Sequence, residues 1–116
     1  MGLDWIVKCY DDYDGPKYHR ANGLAWVLEE CGYSESSKKC YGEIVSGEQL
    51  TKVTDENMQV ILHDLTKIMI EDKYPETILD VIEKSELLEH LEEAKTMLTK
   101  ILNYQGNNKP CIYGDY

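Results

Sequence analysis

The sequence predicts an α+β fold in which about three amphipathic helices cover one small sheet, within a single compact domain over residues 1–116. Three observations lead to this fold class. The first residues alternate between apolar and polar, three later segments repeat apolar residues at helical spacing, and two short stretches have the composition of strands. With 116 residues, of which 42% are hydrophobic, the chain is long enough to bury one core and too short for a second domain.

The predicted sheet consists of one long strand and two short ones. Over residues 3–10 the side chains alternate with the two-residue period of a half-buried strand, and a turn rich in Asp, Gly and Pro follows at 11–16. Short strands are expected near residues 40–45 and 111–113, next to segments of polar and turn-forming residues.

Three longer segments carry the apolar spacing of amphipathic helices. The first covers about residues 18–31, and Gly32 ends it. The second begins at Thr54 or Asp55, and Pro75 stops it, because the residue before a proline is pushed out of the helical region. The third follows a cap at Ser85, and its apolar residues fall at steps of four and three: Leu87, Leu91, Ala94, Leu98 and Ile101.

The connecting segments are predicted from local composition. Residues 33–39 are polar and are expected to form a loop. Ser46 with Gln49 three residues later matches a capping box, which predicts a short helical turn through Val53. Residues 76–83 are expected to form a short helix before the last long one.

The charge and composition of the chain argue against several classes of protein. The 22 acidic and 12 basic residues give a formal net charge of -10 at pH 7, which repels the phosphate backbone of nucleic acids. The longest apolar stretches fall far short of the roughly 20 residues that cross a membrane. The four cysteines have no two-residue spacing and no N-terminal stretch resembles a signal peptide, so we expect a cytoplasmic protein without direct contact to nucleic acid or membrane.

The only arginine lies in the segment that is the best candidate for a binding site. Arg20 falls in the first turn of the predicted first helix, where free backbone N–H groups and the positive end of the helix dipole favour an anion. Its guanidinium could hold a phosphate or carboxylate through two hydrogen bonds, and the tyrosines could stack on a flat ring. An internal salt bridge to a carboxylate is the alternative role for Arg20. The candidate ligand-binding residues are Tyr10, Lys17, Tyr18, His19, Arg20 and Asn22.

Other groups of polar residues do not match the spacing of metal sites. Asp11, Asp12 and Asp14 lie before Gly15, but Tyr10 stands where an EF-hand loop needs its first ligand. The three histidines and four cysteines have no zinc-binding spacing. We therefore predict no metal and no cofactor.

A cysteine acting together with His19 is the enzymatic alternative. Cys9 and Cys31 lie on predicted core faces, where a free cysteine behaves as a small hydrophobic residue, and Cys40 is a third candidate. Because the chain has no stronger catalytic pattern, we predict a protein that is not an enzyme and that has no catalytic residues.

Several short motifs in the first half of the chain occur in the order found in a known family. They are Met1-Gly2-Leu3-Asp4, then Arg20-Ala21-Asn22 with Trp26 four residues on, then Cys40-Tyr41 and Val45-Ser46-x-Glu48-x-Leu50. In this order, over residues 1 to about 65, they resemble a family of small, mostly phage-borne proteins of no established activity. The second half departs from that family, which has an aromatic-glycine strand and a final helix there. The resemblance implies a viral origin and a role against host defence, either by sequestering a nucleotide signal or by blocking a defence protein.

These observations predict a non-enzymatic viral protein of the host cytoplasm that binds a small anionic, nucleotide-like molecule and thereby sequesters an immune signal. A fold of this size has few deep clefts of its own, so we expect a homo-oligomer with a shared pocket. The alternative is an acidic inhibitor in which the glutamate-rich face from Glu83 to Glu93 mimics the charge of DNA. Its partner would be a basic host protein, such as a defence factor or a nucleic-acid-binding factor. A solvated helix face without a partner would give the same pattern.

Overall fold

A computed structural model describes residues 2–8 and 13–116, and within these ranges the chain forms five strands and five helices. The strands are β1 (Asp4–Lys8), β2 (Tyr18–His19), β3 (Glu43–Ile44), β4 (Thr51–Val53) and β5 (Cys111–Asp115). The helices are α1 (Ala21–Glu30), α2 (Ser34–Lys39), α3 (Asp55–Glu71), α4 (Glu76–Leu79) and α5 (Lys84–Leu102). The predicted α+β class is confirmed, and α1, α3 and α5 are the three amphipathic helices expected from the sequence.

One antiparallel sheet joins strands from both ends of the chain, in the order β2-β1-β5-β4-β3. β5 lies at the centre, where Ile112 is opposite Val7 of β1 on one side and Val53 of β4 on the other. These three side chains and Trp5 are buried, while their neighbours along each strand are half-exposed or exposed. The two-residue alternation of the sequence therefore gives the sheet one buried face.

Gly114 lies at a point of the sheet where there is no space for a side chain. A Cβ on Gly114 would lie 2.6 Å from the Oγ1 atom of Thr51, a distance that real Cβ contacts do not reach. Trp5 lies opposite Gly114, and its indole N–H donates a hydrogen bond of 2.8 Å to the backbone oxygen of Cys40. The sheet is thus tied to the residue that ends α2.

The ends of the long helices differ by a few residues from the predicted ends. α3 begins after Thr54, as predicted, and the Thr54 hydroxyl accepts a hydrogen bond of 3.2 Å from the backbone N–H of Asn57. It ends at Asp72, which has a left-handed backbone conformation, so the prediction that Pro75 stops this helix is wrong. Pro75 instead precedes α4, where its fixed backbone angle suits a helix start. The predicted cap at Ser85 is also wrong, because α5 begins after Glu83.

The prediction of a loop over residues 33–39 is wrong, because this segment contains α2. Its sequence is polar and shows no helical repeat of apolar residues. The buried side chains of α2 are instead hydroxyls that bond to other elements: Ser37 donates to the backbone oxygen of Ala25 at 2.6 Å, and Ser36 donates to the carboxylate of Asp64. Tertiary hydrogen bonds therefore stabilise a helix that the apolar pattern does not reveal.

Two segments predicted to be helical form strands. Tyr18 and His19 were expected at the start of the first helix but pair with β1, so the helix begins only at Ala21. The segment after Ser46, expected to be a helical turn through Val53, contains β4. In both places the backbone hydrogen bonds of the sheet outweigh a local helical signal.

The remaining predicted elements occur at shorter or longer lengths. The short strands expected near 40–45 and 111–113 are present as β3 and β5, and the short helix expected at 76–83 is reduced to α4. Residues 4–8 of the strand predicted at 3–10 form β1, whereas Cys9 and Tyr10 lie outside the described residues. Within the described ranges, the structure contains no helix of the length and apolar character needed to cross a lipid bilayer.

Candidate functional site

The residues predicted to bind a small ligand do not share one face of the protein. In β2 neighbouring side chains point to opposite sides of the sheet, so Tyr18 is exposed while His19 is buried with 3% of its surface accessible. Lys17 and Asn22 are exposed beside the start of α1, and Tyr10 lies outside the described residues. His19 is therefore separated from the exposed members of the predicted binding site.

Arg20 lies on the open surface next to a carboxylate. Its Nε atom is 3.9 Å from Oδ1 of Asp4, and the same oxygen accepts a hydrogen bond of 2.8 Å from the hydroxyl of Tyr18. The Arg20 side chain is 75% exposed. A hydrogen bond with Tyr18, followed by the charges of Tyr18 and Asp4, raises the pKa of Arg20. Its positive charge is thus partly balanced within the chain, as in the salt-bridge alternative.

His19 instead forms a buried pair with His90 of α5. The two ring centroids are 4.4 Å apart with an angle of 31° between the planes, and the centroid of the Trp5 ring is 6.1 Å from that of His19. Desolvation, and then repulsion from His90, lowers the pKa of His19 to about 4. Desolvation also lowers the pKa of His90, although Glu93 acts in the opposite direction. Both rings are therefore neutral at pH 7.

Cys31 and Cys40 do not have the environment of an activated nucleophile. Cys40 is completely buried, and desolvation strongly raises the pKa of its thiol. Desolvation and then the charges of Glu30 and Glu71 raise the pKa of Cys31. A reactive cysteine needs a lowered pKa, so these two thiols do not support the enzymatic alternative. Cys9 lies outside the described residues.

The described residues contain no group of three or more His, Cys, Asp or Glu side chains arranged to hold a metal ion. Of the aspartates considered for a calcium loop, Asp14 lies 3.3 Å from the Nζ atom of Lys100, and Asp11 and Asp12 lie outside the described residues. His63 is exposed on α3, with its Nδ1 atom 3.2 Å from Asp64.

A dense group of carboxylates covers α4 and the first half of α5. All of them are exposed, and we refer to them together as the acidic face: Glu76, Asp80, Glu83, Glu86, Glu89, Glu92 and Glu93. Lys84 is the only lysine or arginine between residues 76 and 93, and its ammonium group lies 3.0 Å from Asp72 outside this set. The sequence indicated the carboxylates from Glu83 to Glu93, and the structure adds Glu76 of α4 and Asp80 directly after it as exposed carboxylates.

An apolar pocket lies beside the acidic face, between α1 and α5, and we refer to it as the α1–α5 pocket. Its volume is about 160 Å³. Residues that line it are Gly23 and Trp26 of α1, Val81 and Ile82 after α4, and Leu87 and His90 of α5. The sequence did not reveal this pocket, because its walls come from segments more than 50 residues apart in the chain.

A larger groove follows the outer side of α3. Its volume is about 540 Å³, and its apolar residues are Leu62 and Ile70 of α3 together with Leu102 at the end of α5. Lys67 and Glu71 also line the groove, so its charges are balanced. Ile70 is 78% exposed. Part of the apolar surface of α3 is therefore left outside the core.

Comparison with protein-family models, with curated proteins and with solved structures found no match for this chain. The resemblance of the first half to phage-borne proteins thus stays a prediction.

Proposed function

We propose that this protein is a non-enzymatic binding protein whose acidic face occupies a basic surface on a partner protein. The observation that carries the proposal is the density of negative charge: seven exposed carboxylates between residues 76 and 93 with a single lysine among them. On a helix, residues three and four positions apart are about 5 to 6 Å from each other. This distance is shorter than the Debye length of about 8 Å at physiological salt, so the potentials of neighbouring carboxylates add.

The chemistry of such a surface favours one class of partner. Lysines and arginines that neutralise phosphates in a nucleic-acid-binding protein would be attracted to closely spaced carboxylates in the same way. Together with the resemblance to phage-borne proteins, this supports a host defence factor or another nucleic-acid-binding protein as the partner. The protein would act by competing with the nucleic acid.

Affinity capture from host lysate, followed by competition with duplex DNA, tests this proposal. The test variant reverses three charges of the acidic face, Glu89→Lys, Glu92→Lys and Glu93→Lys. The control variant changes the net charge by the same amount at three exposed positions outside the acidic face, through E35K, E43K and E48K. We expect a basic protein that is captured by the parent and the control, is lost by the test variant, and is displaced by DNA.

Salt dependence gives a second criterion for the same experiment. At about 1 M salt the Debye length falls to about 3 Å, so a complex held by the acidic face should be lost. Capture of the same proteins by the test variant and the parent, or capture that high salt and DNA leave unchanged, would contradict the proposal.

The exposed group around Arg20 supports a second candidate function, the binding of a small anionic, nucleotide-like molecule by a homo-oligomer. The specific observation in its favour is that Arg20 occupies the N-cap position of α1 and that the first turn of this helix contains no acidic residue. The unneutralised N-terminus of a helix attracts anions. The carboxylate of Asp4, 3.9 Å from Arg20, acts against it, which is why we place this function second.

Calorimetry with cyclic di- and trinucleotides and with ADP-ribose derivatives tests the second candidate. We expect binding by the parent and loss of binding by Arg20→Ala, with the K39A variant, which removes an equal charge at the end of α2, as the control. The absence of heat and of thermal stabilisation with every compound would refute this function without affecting the first.

A further inference from the structure

We propose that the α1–α5 pocket receives one apolar side chain of the partner, from a segment in which this residue is flanked by lysines or arginines. The inference rests on the function proposed for the acidic face and specifies which partner segment is bound. The occupant is one large apolar side chain, that of a leucine, methionine or phenylalanine.

The walls of the pocket expose apolar surface where the rest of the region is charged. Val81 is 74% exposed and Trp26 and Ile82 are half-buried, although the segment that follows α4 is otherwise strongly acidic. An exposed apolar patch surrounded by charged residues is typical of a protein interaction site. In the isolated chain most of the Val81 side chain faces solvent, whereas in the proposed complex it would contact the apolar side chain of the partner.

The size of the pocket fits one side chain. A cavity of about 150 Å³ is large enough to hold benzene, and the α1–α5 pocket measures about 160 Å³. Gly23 is one of its lining residues, and a Cβ there would lie 3.0 Å from Nε2 of His90. The absence of a side chain at Gly23 thus allows α1 to pack closely against the His90 ring at this pocket.

The positions of the carboxylates determine what surrounds the apolar residue in the partner. On α5, Glu86 is four residues before His90 and Glu93 is three residues after it, so all three lie on one side of the helix. Asp80 and Glu83 flank the two residues that form the wall after α4. A basic side chain on each side of the anchor residue would therefore face a carboxylate, whereas an acidic partner segment would be repelled.

Binding of two synthetic peptides tests the inference. Both are short and rich in lysine and arginine, and they differ only at the central residue, which is leucine in one and alanine in the other. Burying the larger side chain should make the leucine peptide bind roughly ten- to hundred-fold more tightly, and this ratio should persist when salt weakens both complexes. Fluorescence anisotropy of labelled peptides measures both affinities.

Matched variants locate the bound side chain. Val81→Ser removes apolar surface from the α1–α5 pocket, and Ile70→Ser makes the equivalent change in the α3 groove at a position that is also mostly exposed. We expect V81S to reduce the preference for the leucine peptide several-fold and I70S to leave it unchanged. Trp26 lines the pocket whereas Trp5 is fully buried, so the leucine peptide should also shift the tryptophan emission, and Trp26→Phe should abolish that shift.

The failure of this inference can be distinguished from the failure of the proposed function. If the E89K, E92K and E93K variant loses both peptides but the parent binds leucine and alanine peptides equally, the acidic face is supported and the pocket inference is wrong. If the preference for leucine is lost in I70S instead of V81S, the apolar side chain binds in the α3 groove and the pocket inference is wrong. The pocket inference is also wrong if the parent does not bind the leucine peptide. If the E89K, E92K and E93K variant binds the peptides as tightly as the parent does, the proposed function itself is contradicted.

Discussion

Acidification should destabilise this protein through His19, and the size of the effect follows from its burial. In the unfolded chain His19 has a pKa of about 6.5, and in the folded protein burial beside His90 lowers its pKa to about 4. Between these two values the unfolded chain binds a proton that the folded chain does not. The free energy of unfolding is therefore unaffected above the unfolded pKa and decreases as the pH falls through this window.

The magnitude can be worked out from the two pKa values. The shift corresponds to a total of about 3 kcal/mol, of which about 2 kcal/mol is already lost when the pH is lowered from about 7.5 to about 5. His90 acts in the same direction, because desolvation lowers its pKa as well. For a domain whose total stability is typically 5 to 15 kcal/mol, a loss of about 2 kcal/mol is readily measured.

Urea unfolding at a series of pH values, followed by circular dichroism, measures the effect. We compare the parent with His19→Leu, which removes the titrating ring and leaves an apolar side chain suited to a buried position near Trp5 and His90. All other ionisable groups are present in both proteins, so the difference between their pH profiles reports on His19 together with its interactions with His90 and Glu93.

We expect His19→Leu to lose about 2 kcal/mol less than the parent between about pH 7.5 and about pH 5. His63→Gln serves as the control, because the His63 side chain is already 79% exposed to solvent in the folded protein. If the pH profiles of the parent and His19→Leu run parallel, the argument that burial depresses the pKa of His19 is refuted.

Three further changes test other parts of the structure. Trp5→Phe removes the buried hydrogen bond to the backbone oxygen of Cys40 and leaves a smaller ring, so urea unfolding should show a loss of about 2 to 3 kcal/mol. Thr54→Ala removes the cap of α3 and should cost about 1 kcal/mol in the same assay, and an unchanged midpoint would show that the cap is not needed. Iodoacetamide at neutral pH should label the half-buried Cys31 and Cys111 well before Cys40, and rapid labelling of Cys40 in the native protein would contradict its burial.

The parts of the fold that the sequence predicted correctly are those with a strong local repeat. The helical spacing of apolar residues located α1, α3 and α5, and the two-residue alternation located β1. In each case ten or twenty consecutive residues are enough to show which side of the element faces the core.

The elements that were missed depend on contacts with distant residues. α2 has buried serines rather than apolar residues, and it is held by bonds to Asp64 and to the backbone of Ala25. β4 forms because its backbone pairs with β5, which follows it by about 60 residues. Neither contact leaves a repeat in the local sequence.

The candidate binding residues show the same division. The sequence located Arg20 at the start of α1 and noted the carboxylates from Glu83 to Glu93, since charge and chain position are local properties. A helix over residues 18–31 would place His19 and Arg20 in the same helical turn, at one binding site. Its position in β2 turns the ring into the core, because successive side chains of a strand point to opposite sides.

By itself the amino-acid order of this chain determined the fold class, the three long helices and the sign of the surface charge. Only the tertiary structure decided that His19 meets His90, and that Trp26, Val81 and His90 enclose one pocket beside the acidic face. The physical reason is that periodicity and charge are properties of neighbouring residues, whereas a pocket exists only where packing brings separate segments together.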